Sequence, residues 1–216
     1  MVIAIIGDIV NSKQLKKRGE VQASLKQSLE NINELFSEHI VSKMTLTLGD
    51  EFQGLLKIGS PICQIIDRLE SEHSDLQIRY GIGIGEILTE INPELSLGAD
   101  GPAFWYAREA IEYFNTDKDY GRSNTYLVSS KTAIDLVNDV LALTANFKKN
   151  MTEVQRKRLD FLIQNGIYSD QFDQKKIAKQ MGISESALSK SLKAGNIKLY
   201  LGTRQHLDEY LKEAYQ

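Results

Sequence analysis

From Arg79 to Glu86 the chain reads Arg-Tyr-Gly-Ile-Gly-Ile-Gly-Glu, with glycine at every second position of a strand pattern. Successive side chains of a strand point to opposite faces, so one face of this strand carries no side chains. Such a face calls for a close neighbour: either a helix packed tightly on it, or a ligand or partner chain brought near. The glycines do not form a dinucleotide fingerprint, because that motif belongs to a strand-to-helix turn and these sit inside a strand. The chain therefore builds a sheet with one face reserved for close approach.

The rest of the pattern supplies that sheet. Residues 2–10 read as a strand buried on both faces, rich in β-branched residues. Apolar Val21, Leu25, Leu29, Ile32 and Leu35–Phe36 recur at helical steps and predict a helix over about 14–38. Residues 44–48 and 52–57 predict a strand pair hinged on Gly49-Asp50, 60–69 a helix, and 77–89 the glycine strand. A helix over 102–114, a strand over 125–128 and a helix over 130–143 complete the first part. The order strand, helix, strand, strand, helix, strand is that of a ferredoxin-like βαββαβ unit, an α/β (α+β) two-layer architecture. After residue 147 the pattern becomes helical, so the domains expected are 1–147 and a small all-α unit over 148–216.

Charge follows the same division. Residues 1–150 hold 15 Lys and Arg against 21 Asp and Glu, while residues 151–216 hold 11 against 8. An acidic body with a mildly basic end confines any nucleic-acid contact to that end. One cysteine, Cys63 among apolar neighbours, excludes an internal disulfide and fits a reducing compartment and a packing role. The apolar start is broken by Asp8 and has no basic leader, and no run is long enough to span a bilayer, so a cytoplasmic protein without membrane contact is expected.

Two aspartates sit at strand ends, in Gly7-Asp8-Ile9-Val10-Asn11-Ser12 and in Leu48-Gly49-Asp50-Glu51-Phe52. Adjacent strands that bring two carboxylates together beside a polar turn offer a divalent metal its hard oxygen ligands and a phosphate its N–H donors. The plainer alternative is two solvated turn carboxylates. Glu51 is a third acid, expected to face solvent; Glu86 and Asp100 are not assigned. Phe104, Trp105 and Tyr106 stand either against a base or in the core or a dimer interface.

Read in order, Asp8-Ile9-Val10-Asn11-Ser12, Thr47 through Phe52, Arg79 through Glu86 and Gly101 through Arg108 resemble the catalytic domains of class III nucleotide cyclases. Gly49-Asp50-Glu51-Phe52 also resembles the hairpin of diguanylate cyclases, which share the palm fold. The whole chain is similar to the SatD family of bacterial proteins. The cyclase resemblance implies a palm domain over about 1–145, Mg²⁺ or Mn²⁺ held by Asp8 and Asp50, and a phosphate-cradling turn at Ile9, Val10, Asn11 and Ser12. It implies that Arg108 stabilises charge on the phosphates, and that a homodimer carries it to the partner's aspartates. Two positions depart: Leu46 stands where cyclases carry a base-reading lysine, and Phe104 where they carry an asparagine.

Residues 174–190 match a helix-turn-helix unit. Ala178 permits close crossing, Gly182 supplies the turn, Ser184 caps the second helix, and Ile183 and Leu188 seat it. Ser186, Ala187, Ser189, Lys190 and Lys193 would then face a DNA major groove. Residues 195–200 read as a short extended return, a wing. The plainer alternative is a three-helix module docking on a protein. The sequence thus leads to a regulator in which a nucleotide or phosphorylated small molecule, with Mg²⁺ or Mn²⁺, biases a grip on double-stranded DNA. A metal-dependent nucleotide cyclase and a protein-interaction adaptor with vestigial sites are the alternatives.

Overall fold

The computed structural model describes residues 1–47, 49–116, 121, 123–131 and 134–216. Its first half is a five-stranded mixed sheet, in the order β2-β3-β1-β4-β5. Strand β1 (Val2–Ile9) lies at the centre and pairs antiparallel with β3 (Glu51–Lys57) and with β4 (Ile78–Gly85). Strand β2 (Ile40–Leu46) adds antiparallel to β3, and β5 (Thr125–Ser129) adds parallel to β4. Eight α-helices are present among the described residues.

One sheet face holds the main core. Helices α1 (Arg18–Leu35) and α2 (Ile62–Glu72) cover Ile3, Ile5, Ile9, Phe52, Leu56, Ile82 and Ile84 with Leu25, Leu29, Ile32, Ile65, Ile66 and Leu69. Leu29→Ala should cost about 2–5 kcal/mol, measured by urea denaturation, because the side chain is fully buried. Helix α1 is shorter than the expected 14–38. A 3-10 turn occupies Ser12–Gln14 behind left-handed Asn11, and another follows at Ser37–His39. Leu48, expected to end the second strand, lies outside the described residues.

Helix α3 (Pro102–Tyr113) covers the other face, on the glycines of β4. A Cβ at Gly85 would stand 2.7 Å from the Ala103 nitrogen, and one at Gly81 2.9 Å from the Ile111 nitrogen. Close helix packing is thus what the glycine face serves. The strand expected to reach residue 89 stops at Gly85, and the Ala103 amide donates to the Glu86 carbonyl at 3.1 Å as the chain returns into α3.

Helix α4 (Ile134–Lys149) begins and ends later than the expected 130–143; positions 132–133 lie outside the described residues. Helices α5 (Glu153–Gln164), α6 (Gln174–Gln180), α7 (Glu185–Ala194) and α8 (Ile197–Tyr215) follow. The wing expected at residues 195–200 is not formed: Asn196 turns the chain in the left-handed region and Ile197 starts α8. The alternation of Ile197, Leu199 and Leu201 mimics a strand, but Ile197, Tyr200, Leu201, Arg204, Leu207, Asp208, Leu211 and Tyr215 are the buried set, which is a helical period. Helix α8 enters two cores. Ile197, Tyr200 and Leu201 pack with Leu159, Leu162, Leu188 and Leu192, whereas Leu207, Leu211 and Tyr215 pack in the sheet core. The boundary drawn at residues 147/148 falls inside α4.

Candidate functional site: a carboxylate–arginine row and an exposed helix pair

Strand register builds the first site. Glu51, Asp8 and Arg79 stand opposite one another across β3, β1 and β4, on the face that α3 covers. Arg79 grips Asp8 with two bonds, Nε to Oδ1 at 2.9 Å and Nη2 to Oδ2, and gives a third to Asn115 Oδ1 at 3.0 Å. Arg108, on α3, forks onto Glu51 at 2.7 and 3.1 Å. Such paired bonds fix direction as well as charge. Both guanidinium pKa values are raised, Arg79 by its bonds to Asp8 and Arg108 by its bonds to Glu51. The Asp8 charge also reaches Arg108.

Asp50 joins from the β2–β3 hairpin, where Gly49 takes a φ of 75° and the Thr47 amide donates to the Glu51 carbonyl at 2.8 Å. The buried Ser12 hydroxyl donates to Asp50 Oδ2, and Arg18 Nη2 lies 3.8 Å from Oδ1. The Asn11–Ser12 turn is thereby tied to the hairpin. The Ile9 amide donates to the Asp50 carbonyl at 3.1 Å and the Val10 amide to the Gln77 carbonyl at 2.9 Å, so both are engaged within the chain.

The structure thus brings Asp8, Asp50, Ser12 and Arg108 to one end of the sheet. Glu51, expected in solvent, is instead the partner of Arg108, which is engaged within its own chain. Arg79 was given no role in the sequence. Arg79 had a signal: two residues before Gly81, it is the side chain at the end of the bare glycine face. No group of three or more His, Cys, Asp or Glu among the described residues could hold a metal ion. Two aspartates already paired with arginines suit Mg²⁺ only with a ligand that supplies further oxygens. Beside this row lies a cavity of about 510 Å³, walled by Ile6, Gln53, the 97–100 loop, Phe104, Trp105 and Arg108.

The second site is the α6–α7 pair. Asp173 caps α6 through the Lys176 amide at 3.0 Å, and Ser184 caps α7 through the Ala187 amide at 3.2 Å. Gly182, with φ of 64°, makes the turn, and the Ile183 amide donates to the Ala178 carbonyl at 3.0 Å. Leu188, Ser191 and Leu192 are buried, which leaves Ser186, Ser189, Lys190 and Lys193 exposed and Ala187 half-buried. Of the basic run at 156–158, Arg158 donates to the Ala187 carbonyl at 3.2 Å, Arg156 to the Lys148 carbonyl, and Lys157 pairs with Glu153.

Between the two sites lies a buried charge hub that sequence reasoning missed. Asp67 on α2 is 0% exposed and accepts from Tyr200 at 2.5 Å, Tyr168 at 2.6 Å, Arg204 at 3.0 Å and Lys148 at 3.3 Å. Burial alone would raise its carboxyl. Arg204, Lys148 and the two phenols outweigh that and hold it below the usual range.

A second acid at this junction behaves oppositely. Asp208 on α8 accepts from the Cys63 amide at 2.9 Å, at the start of α2, while its Oδ2 is buried without a partner. Burial pushes its pKa up to about 7, against the pull of the Cys63 bond and Arg204. The folded chain therefore keeps a proton that the unfolded chain releases near pH 4. Stability should fall as pH rises from about 4 to 7 and level off above. In Asp208→Asn that part of the slope should vanish, as read from urea midpoints across the range.

The family model for the SatD family matches residues 2–211 of the chain. No curated protein matches it. Among the described residues no helix is long and apolar enough to cross a membrane.

Proposed function

Because the chain belongs to the SatD family, and because Asp8 and Asp50 share one end of the sheet while a capped helix pair presents lysines, we propose that it is a ligand-responsive regulator. A ferredoxin-like, cyclase-like palm binds a nucleotide or phosphorylated small molecule, and a helix-turn-helix formed by α6 and α7 binds double-stranded DNA. The observation that carries this reading is the placement of two aspartate–arginine pairs, Asp8 with Arg79 and Asp50 with Arg18, at the sheet end where Arg108 holds Glu51. The arginines suit phosphate oxygens. Once those oxygens are present, Asp8 and Asp50 would hold Mg²⁺ or Mn²⁺, which supplies neutralisation of phosphate charge. The strand order β2-β3-β1-β4 supports the palm assignment.

Regulation is favoured over turnover because Leu46 and Phe104 replace the polar residues of the cyclase pattern, and Phe104 is buried. The hub at Asp67 supplies a rigid connection, since α2 of the palm and α8 beneath α7 share it.

Fluorescence anisotropy with duplex DNA across a salt series tests the reading. Affinity should fall steeply with salt, with a log–log slope of about −0.9 per phosphate contacted. Lys190→Ala and Lys193→Ala should each flatten that slope by about one. ATP or GTP with Mg²⁺ should shift the affinity, and Asp50→Ala should remove the shift. Mass-spectrometric detection of a nucleotide product that Asp50→Ala abolishes would replace the regulator with an enzyme. No salt-dependent DNA binding would leave the adaptor.

A further inference from the structure

The cavity beside the acidic row has a composition of its own. Register places Gln53 and Ile6 side by side in the row next to Glu51 and Asp8, two residues along the same strands and on the same face. Two residues of strand span about 7 Å. That is the order of the distance from a nucleobase to its 5′-phosphate. The cavity of about 510 Å³ sits over Gln53 and Ile6 and falls in the range of small-molecule sites. Arg108 borders both the cavity and the carboxylate row.

Its walls suit a flat ring. Trp105, 54% exposed, stands at the mouth and gives most of the apolar surface, over the nearly buried Ile6 and Phe104. The indole is oriented by its N–H, which donates to Asp100 Oδ1 at 2.7 Å. Trp105 is the single tryptophan of the chain. Gln53, nearly buried, gives one amide N–H to the Ser96 carbonyl at 3.1 Å and keeps its oxygen as an acceptor beside its second N–H. Asp100, Glu109 and Glu112 also line the space, against one arginine. Acceptors outnumber donors, so the ring that fits carries N–H donors.

We infer that this cavity takes the amino-bearing aromatic base of a nucleoside polyphosphate whose phosphates lie at the Asp8–Asp50–Arg108 end. Trp105 stacks on the base and Gln53 accepts from its amino group. The base is thus read within one chain, by groups that stand in for the absent polar residues at positions 46 and 104. This inference rests on the nucleotide reading above, and its test separates the two.

The full chain with Mg²⁺ is titrated with ATP, CTP, UTP and inorganic triphosphate, following Trp105 fluorescence and, in parallel, calorimetric heat. ATP and CTP should change Trp105 emission at the concentrations where heat is released. Triphosphate should release heat and leave the emission unchanged, and UTP, which has no amino group, should bind about tenfold more weakly. Trp105→Ala should weaken ATP about tenfold and leave triphosphate affinity as it was, with an unchanged circular dichroism spectrum. Nucleotide heat with silent Trp105 emission, or the same emission change with triphosphate, would overturn the inference and spare the nucleotide reading. Equal affinity for UTP and CTP would overturn the role of Gln53, which a Gln53→Leu variant losing no preference would repeat. No heat from any of the four would overturn both readings together.

Discussion

Asp67→Ala is expected to destabilise the chain by about 3–5 kcal/mol, the range for breaking a buried ion pair from one side. The carboxylate is fully buried and accepts from four side chains that come from α4, α8 and the segment between α5 and α6. Its removal leaves Arg204, which is 4% exposed, with the Cys63 carbonyl in place of an anion, and leaves Lys148 with Glu70. Two phenols lose their acceptor as well. The conservative Asp67→Asn keeps the volume but not the charge, so it should lose most of the same stability. Urea unfolding, followed by circular dichroism, measures both. If either variant unfolds at the wild-type midpoint, the hub is not what joins the C-terminal helices to the sheet.

Gly83→Val should be of similar size and has a different cause. A Cβ at this position would collide with the Ala103 carbonyl oxygen and the Ala107 nitrogen, and would stand 3.0 Å from the Tyr106 carbonyl carbon. All three belong to helix backbone, which cannot swing aside as a flexible side chain would. Either α3 lifts from the sheet or the strand bends, and overpacking of this kind costs about 1–3 kcal/mol or more. The displaced helix carries Arg108, so the Arg108–Glu51 fork should open too. Thermal unfolding reads the first effect. Loss of nucleotide binding in a variant that is still folded at low temperature reads the second. Gly19, whose added Cβ meets nothing within 4 Å, provides the control: Gly19→Ala should be neutral or slightly stabilising.

Much of the sheet was legible because each strand and helix keeps one period throughout. Ile82 and Ile84 alternate with glycines, and Leu25, Leu29 and Ile32 keep helical steps. Local signals also placed the α6–α7 turn, where Gly182 takes a positive φ and Ser184 caps as its side chain allows. Pairing between distant residues was less accessible. That Glu51 faces Arg108 depends on register across β3 and on the packing of α3, neither of which is local. Asp67 was readable in part: it sits among Ile62, Cys63, Ile66 and Leu69, and a charge in so apolar a setting calls for partners. Those partners, Lys148, Tyr168, Tyr200 and Arg204, stand 81 to 137 residues away and carry no local mark. The expected wing failed because residues 197–201 satisfy a strand period and a helix period alike, and only the buried set further along α8 decides between them.

The path of α8 also sets an order of events during synthesis. Chains commonly fold domain by domain from the N-terminus as they emerge from the ribosome. Here the core under the sheet is closed by Leu207, Leu211 and Tyr215, which are made after all five strands. Until they arrive, the first 150 residues keep part of that apolar surface bare. The sheet core and helix α8 are therefore completed together, once α8 has been made.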